Sequence, residues 1–503
     1  MRYLLTLIYI VFCIPAFAQE EDEYEEEPNP VGDFSKSVRG IGISANGDSL
    51  FGTHIDVSPF QIVNYKITGG DSLIYLYLKK PVKGGYESDE HIVCYNLRLH
   101  KKVWTRTFPF KISFSTSIIN SVIVINERDE TVAYDAYSGE RLRGRMDKVI
   151  FASEKHQLFL TEEGHALDAT TLKTLWRVKW HRDYGLFLKY KPGSDMLLVE
   201  AKGLMGINLK TGEYWYHSVS TGVANTGANI AAAAAATAES MISGMPALYP
   251  SPEKTHGMQS GITLMGDDYV YAGRNEIFCV SERGIELWRK KLPDEMTGKS
   301  YIWTDKEHVY LLNSGIAFMY FRPVAVARPY IARYNKLSGD MEYSKPIDVG
   351  EYTKALAVSE NEVAILNGNV FSIINTVNGM VTKSANIVGL EGDVEINSKA
   401  VVYTRKGEAF GNLQSGWLLI DGKRKTIRLN KDLEVVDSQG HDYYLKVAGG
   451  GDYELLFGAK NVVFLKDNKI VAEVRKYADP RSVQGKNCLA VLKRGLLLYT
   501  LPE

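Results

Sequence analysis

A short phrase returns along this chain of 503 residues, and its return limits the fold more than any single motif does. NLKTGEYWYH from Asn208 has relatives in YNLRLHKKVW from Tyr95, YDAYSGERLR from Tyr134, LDATTLKTLW from Leu167 and YNKLSGDMEY from Tyr334. The polar residue that opens each turn serves as a marker: Asn96, Asp135, Asp168, Asn208, Ser281, Asn335, Asn375 and Asp421. Successive spacings are 39, 33, 40, 73, 54, 40 and 46 residues. Most fall near the roughly 40–50 residues of a four-stranded propeller blade, and the two longest each contain an insertion.

The wording of one unit follows from its chemistry. A strand such as HIVCYN ends in an Asx residue, whose side chain can bond the backbone two residues on and start a turn. Gly139, Gly212, Gly339 and Gly379 then supply the positive φ that closes it. Seven or eight residues after the marker stand Trp104, Trp176, Trp215 and Trp288, with Tyr343 in the same slot of a later unit. Strand side chains alternate faces, so a bulky ring at a fixed offset can wedge between neighbouring sheets. The runs DSLIYLYLK, SVIVIN, DMLLVEA, HVYLLN and EVAILN read as strands bounded by Gly, Asn, Asp or charge. Cys94 and Cys279 lie in such runs, and with Cys488 they read as small buried apolar side chains rather than a disulfide framework. The fold class expected is all-β: an eight-bladed β-propeller, with seven blades as the alternative. NVVFLKDNKIVAEV from Asn461 reads as a further hairpin, and NCLAVLKRGLLLYTL could share a closing blade with strands near Ile41 to Phe60.

The units NLKTGEYW, YNLRLHKKVW, LDATTLKTLW and VSERGIELW resemble the repeats of quinoprotein, or pyrroloquinoline-quinone-like, β-propellers over roughly residues 60 to 500. The resemblance implies an eight-bladed fold. It is closer to the family's non-enzymatic envelope scaffolds than to its calcium- and quinone-dependent dehydrogenases, because the vicinal cysteine pair common in the dehydrogenases is missing and their calcium ligands have no match here. No cofactor is therefore expected.

The ends and composition limit location and partner. MRYLLTLIYIVFCIPAFAQE has a positive start, a short apolar stretch and an Ala16-Phe17-Ala18 cleavage site, which reads as a signal peptide over residues 1–18. Seven acids among Glu20 to Glu27 read as part of a disordered leader over 19–36, with a single propeller domain over 37–503. Without Arg2 and those seven acids, 58 Lys and Arg face 53 Asp and Glu. That small surplus, with no arginine-rich arm, argues against nucleic acid. No run long and apolar enough to span a bilayer follows the leader. A periplasmic or extracellular location and an envelope or extracellular protein partner are expected.

Two insertions are the candidate contact surfaces. The first, over 218–260, contains Ala231 to Ala236 followed by TAESMI, a strong helix former ended by Gly244 and Pro246, and carries Met241 and Met245. It reads as a helix that covers the body of the protein, as an arm that docks a partner or a membrane face, or as a disordered segment. The second, over 315–330, carries Phe318, Met319, Tyr320, Phe321, Arg322, Arg328 and Tyr330, aromatics with arginine that suit a protein or glycan contact or else pack on their own sheet.

No catalytic constellation stands out. The ten histidines lack HxH or HExxH spacing, and His156 and His165 are expected only to approach each other across a hairpin. VAGGGDYELLFG lacks the lysine of a phosphate loop, and no GxSxG elbow is present. The function expected is a non-catalytic interaction scaffold. A quinone-dependent oxidoreductase and a glycan-binding propeller are the alternatives.

Overall fold

The structure, a computed structural model, describes residues 31–502 apart from 225–253 and the short stretches 69–71, 110–113, 128–129, 182–186, 192–193, 256, 294–297, 320–321, 349–352, 360, 391–392, 398–400, 407–408, 415, 422–425, 436–442, 451, 459 and 468. The expected signal peptide, the acidic run, the alanine helix, Met241 and Met245 all lie outside the described residues. Among those described there is no α-helix, only one 3-10 turn at Lys476–Ala478. Two compact units emerge, one of Met1–Ser35 with Val57–Phe110 and the other of Lys36–Asp56 with Lys111–Glu503.

The first unit holds one four-stranded antiparallel meander, from Gln61–Ile67 to Lys101–Pro109. Lys79 and Glu90 pair across it at 3.2 Å with little exposure. The second unit repeats the plan, with four-stranded meanders over 114–147, 149–177, 187–218, 263–291, 300–346 and 353–386 and a three-stranded sheet over 394–429. Each apolar core in this series is shared by two successive sheets. One joins Leu158 and Leu160 to Leu197 and Val199, the next Leu198 and Leu204 to Tyr271 and Phe278, and another Val270 and Cys279 to Leu311 and Tyr334. A strand whose two faces serve two cores must be apolar on both sides, which is why the middle strands read as continuous runs rather than alternating ones.

The repeated phrase builds one turn. Asn208 Oδ1 accepts the N–H groups of Lys210 at 2.9 Å and Thr211 at 3.1 Å, its carbonyl accepts Gly212 N–H at 2.8 Å, and its own N–H donates to Glu213 O at 2.8 Å. Gly212 has φ +77°. This is a four-residue hairpin loop, Leu209 to Gly212, closed by a left-handed glycine. Asp135, Asn335 and Asn375 repeat it with Gly139, Gly339 and Gly379 at φ +74°, +71° and +72°. At Asn96 and Asp168 the left-handed place is held by His100 and Leu172, at φ +49° and +56°.

In the second unit Trp176, Trp215, Trp288 and Tyr343 each close on the turn of the following meander. A Cβ added at Gly212 would lie 2.6 Å from the Trp176 ring, at Gly284 2.2 Å from Trp215, at Gly339 2.5 Å from Trp288 and at Gly379 2.7 Å from Tyr343. Trp215 Nε1 donates to Glu282 O at 3.1 Å, Trp288 Nε1 to Lys336 O at 3.0 Å and Tyr343 O–H to Thr376 O at 2.6 Å. Glycine in the turn therefore both reaches positive φ and leaves the seat for the neighbour's ring. In the first unit, Trp104 is buried against Tyr75, ring centroids 5.8 Å apart.

The last large sheet has eleven strands and takes in the start of the described chain. Strand Ser35–Ser44 pairs with Lys469–Arg475 (Gly42 opposite Val474), and Ser49–Asp56 pairs with Gly495–Thr500 (Gly52 opposite Tyr499). Cys94, Cys279 and Cys488 are buried free thiols, which burial pushes up to about 12.

Candidate functional site

The two insertions leave their sheets at the same strand ends. In an antiparallel meander the loop between second and third strands and the exit of the fourth share one end, while the Asx turns occupy the other. The first insertion follows fourth strand Tyr214–Ser218, and the second interrupts the chain between second strand His308–Asn313 and third strand Tyr330–Asn335. At its base the first insertion forms a two-residue ladder, Val223 opposite Thr255 and Ala224 opposite Lys254. The second is a hairpin of its own, Ile316–Met319 against Arg322–Ala325, outside the four-stranded sheet.

Local chemistry fixes both. Asn313, fully buried at the end of its apolar strand, accepts Gly298 N–H at 3.0 Å and Gly315 N–H at 2.8 Å, which aims the hairpin. Gly315 has φ +75°, and a Cβ there would lie 2.6 Å from Ala327 O. The insertions also touch, for Gly257 at φ +78° leaves the space into which the Phe318 ring fits, 2.8 Å from where a Cβ would be. Next to this contact Ser300 N–H donates to Gln259 O at 3.3 Å, and Met258 N–H donates to Thr221 O at 3.0 Å.

Polar side chains tie the neighbouring sheets beside the first insertion. Glu200 ends its strand by accepting Ile262 N–H at 2.9 Å in the next sheet. Burial pushes its carboxyl above the ordinary range, opposed by that hydrogen bond and by Lys189 and Lys299. Lys189 Nζ donates to Ile262 O, and Lys299 Nζ stands 5.5 Å from the Tyr301 ring centre. Asn126 plays the corresponding part elsewhere, with its amide oxygen accepting Val149 N–H at 3.0 Å at the start of the following meander. A polar residue at the end of an apolar second strand thus ties to the start of the next meander at Asn126 and Glu200, and to the segments flanking its own sheet at Asn313. The runs SVIVIN, DMLLVEA and HVYLLN carry that signal in the sequence, where it passes for a strand boundary.

The residues singled out for contact separate. Phe318 is half-buried against Gly257, and Arg322 lies opposite Met319 in the hairpin. Arg328 is exposed and ion-paired with Asp348. Tyr330, expected on the contact loop, opens the third strand instead and is buried in the core between two sheets. Tyr320 and Phe321 lie outside the described residues.

His156 and His165 do not meet. His156 Nε2 bonds Asp195 at 2.9 Å and His165 Nδ1 bonds Asp147 at 2.8 Å. Ser153 Oγ lies 2.9 Å from His156 Nδ1, which completes a Ser–His–Asp line. Its exposure is reversed relative to a nucleophilic triad, because Ser153 is buried and the Asp195 side chain is 48% exposed. A substrate carbonyl has no approach to that hydroxyl, so the line is a tie between neighbouring meanders. Among the described residues no three His, Cys, Asp or Glu side chains gather into a metal site.

No family model matches the chain, and no curated protein does. Among solved structures, BamB from Moraxella catarrhalis aligns at 13% identity and TM-score 0.33 over 73% of this chain and 98% of its own. The computationally designed Ika8 protein aligns at 10% and 0.32 over 76% and 95%, and the dihydro-heme d1 dehydrogenase NirN at 10% and 0.29 over 76% and 71%. Scores of this size leave the fold to be read from the sheets themselves.

Proposed function

We propose that this chain is an exported, non-catalytic β-propeller that serves as a protein-interaction scaffold in the cell envelope, with the two insertions as its docking face. The observation that carries this reading is their convergence: two segments leave the sheets 187–218 and 300–346, which flank the sheet 263–291, at the same kind of strand end, and meet through Phe318 and Gly257. Insertions that merely tolerated one another would need no shared seat. Connecting segments held on a rigid frame are where binding residues concentrate, and the stacked meanders supply that frame. With Tyr330 buried, the exposed positions among the described residues of the second insertion are Ala325 and Arg328.

The test is a crosslinked pull-down of the tagged mature protein from its native envelope, beside a variant in which 225–253 is replaced by Asn-Gly. The ladder already sets Ala224 opposite Lys254, so a two-residue turn closes the gap. Loss of a dominant partner in the variant alone supports the docking face. Retention of every partner by the variant removes the first insertion from it.

A further inference from the structure

Away from the insertions, a cleft of about 620 Å³ opens beside the eleven-stranded sheet. Its cations come from four separate places. Arg39 lies on strand Ser35–Ser44, Lys476 opens the 3-10 turn, Arg481 follows that turn, and Lys493 sits in the tight turn after Asn487–Leu492. Asp479 is the one carboxylate on the wall, and Leu492 adds apolar surface.

The frame is held by the backbone. Tyr477 O–H donates to Gly40 O at 2.6 Å, Tyr499 O–H to Ala478 O at 2.7 Å, and Arg481 N–H to Leu489 O at 2.7 Å. The charges are less well matched. Asp479 lies 3.8 Å from Arg481. Lys476 Nζ donates to Gly458 O at 3.0 Å and lies over the Phe457 ring. Among the described residues no carboxylate pairs with Arg39 or Lys493. Burial, and after it the charge of Arg39, hold the buried His54 imidazole below its ordinary range against the opposing charge of Asp56. Arg39, Arg481 and Lys493 repel one another across the cleft, and a concave wall concentrates their field.

We propose that this cleft binds a phosphate-type oxyanion, with Arg39, Arg481 and Lys493 as its charged contacts. Arg39, Arg481 and Lys493 bring three positive charges to the one carboxylate of the wall, a surplus of two, and a phosphate monoester carries about −1.5 to −2 and offers three acceptor oxygens. Guanidinium forks match that geometry in bidentate fashion. The volume accommodates a headgroup-sized ligand, within the roughly 300–1,000 Å³ of small-molecule sites. A free phosphoryl compound and an anionic phospholipid headgroup share this chemistry.

The experiment uses the full mature chain and its Arg39→Gln/Lys493→Gln double variant, both positions being exposed. Inorganic phosphate is titrated by calorimetry, and vesicles of phosphatidylglycerol in phosphatidylcholine are compared with phosphatidylcholine alone by cosedimentation. Phosphate binding weakened about tenfold or more in the variant supports the site with a free ligand. Binding to the phosphatidylglycerol vesicles alone, about thirtyfold weaker in the variant at roughly fivefold per basic group, supports it with a lipid source. Absence of binding in both arms, or equal binding by the two proteins, overturns the site. Tighter binding of a polyglutamate peptide than of phosphate overturns the phosphate assignment.

Discussion

Gly284→Ala tests whether a turn glycine is required for its φ alone or also for the ring seated on it. Gly284 has φ +79°, and an alanine Cβ there would lie 2.2, 2.5 and 2.6 Å from three atoms of Trp215. Holding an L-residue in the left-handed region costs about 1–2 kcal/mol. Forcing the ring aside adds about 1–3 kcal/mol, the usual cost of overpacking, so the whole change is about 2–5 kcal/mol. Gly47→Ala is the control, because Gly47 has φ +85° and nothing within 4 Å of the added carbon. It carries the backbone cost of about 1–2 kcal/mol and no overlap. Both substitutions reduce the freedom of the unfolded chain alike, so their difference isolates the wedge. Urea midpoints followed by far-UV circular dichroism measure it, and Trp215→Ala completes a double-mutant cycle. In the Trp215→Ala background, which removes the two closer ring atoms but keeps the Cβ at 2.6 Å, the cost of Gly284→Ala should fall toward that of Gly47→Ala. Equal costs for the two glycine changes in the wild-type background would refute the idea that the ring and the turn recognise each other.

Three further outcomes are expected. His100→Gly relieves a non-glycine residue at φ +49° and should raise the urea midpoint by the equivalent of about 0.5–1 kcal/mol; a fall would mean that the imidazole supports the turn. Asn335→Ala removes the acceptor for Leu337 N–H and Ser338 N–H, both at 3.0 Å, and should cost about 1 kcal/mol in the same assay. Burial pushes Asp305 up, but hydrogen bonds from Glu307 N–H, Tyr310 O–H and the His308 backbone and ring outweigh it and hold the carboxyl at about 2. Its folded value lies below the unfolded value of about 3.9, so its contribution is present above about pH 4 and is lost as pH falls toward 2. Thermal midpoints of Asp305→Asn should therefore decline less steeply than wild type across that window, and parallel declines would remove Asp305 as a source of acid sensitivity.

The turns were the most legible part of the fold, because every determinant of Asn208 to Gly212 lies within five residues. Left-handed His100 and Leu172 were not, since only comparison with the other turns shows that they stand where glycine stands elsewhere. The offset of Trp215 suggested a wedge, but its seat, Gly284, lies 69 residues on and depends on which sheet comes next. Buried ties such as Asn313 and Glu200 look in sequence like polar punctuation at a strand end. Convergence of the insertions was hidden for a related reason. Strand polarity decides which loops share an end, and the sequence shows strands well before it shows their order. Tyr330 illustrates the limit of composition, for an aromatic beside arginine reads as contact surface until the register places it in a core.

The pairing of Ser49–Asp56 with Gly495–Thr500 has a consequence for synthesis. His54 finds its partner only when Leu497 has been made, so nearly the whole chain must be produced before the first strands lose their open edges. Contacts of such long range are slow to form, and an unpaired edge meanwhile is a template for another chain. A ribosome that stops before residue 495 would release a protein with most of its sheets complete and a free strand at the front. Quality control that recognises exposed edges would distinguish that product from the finished one by its last strand alone.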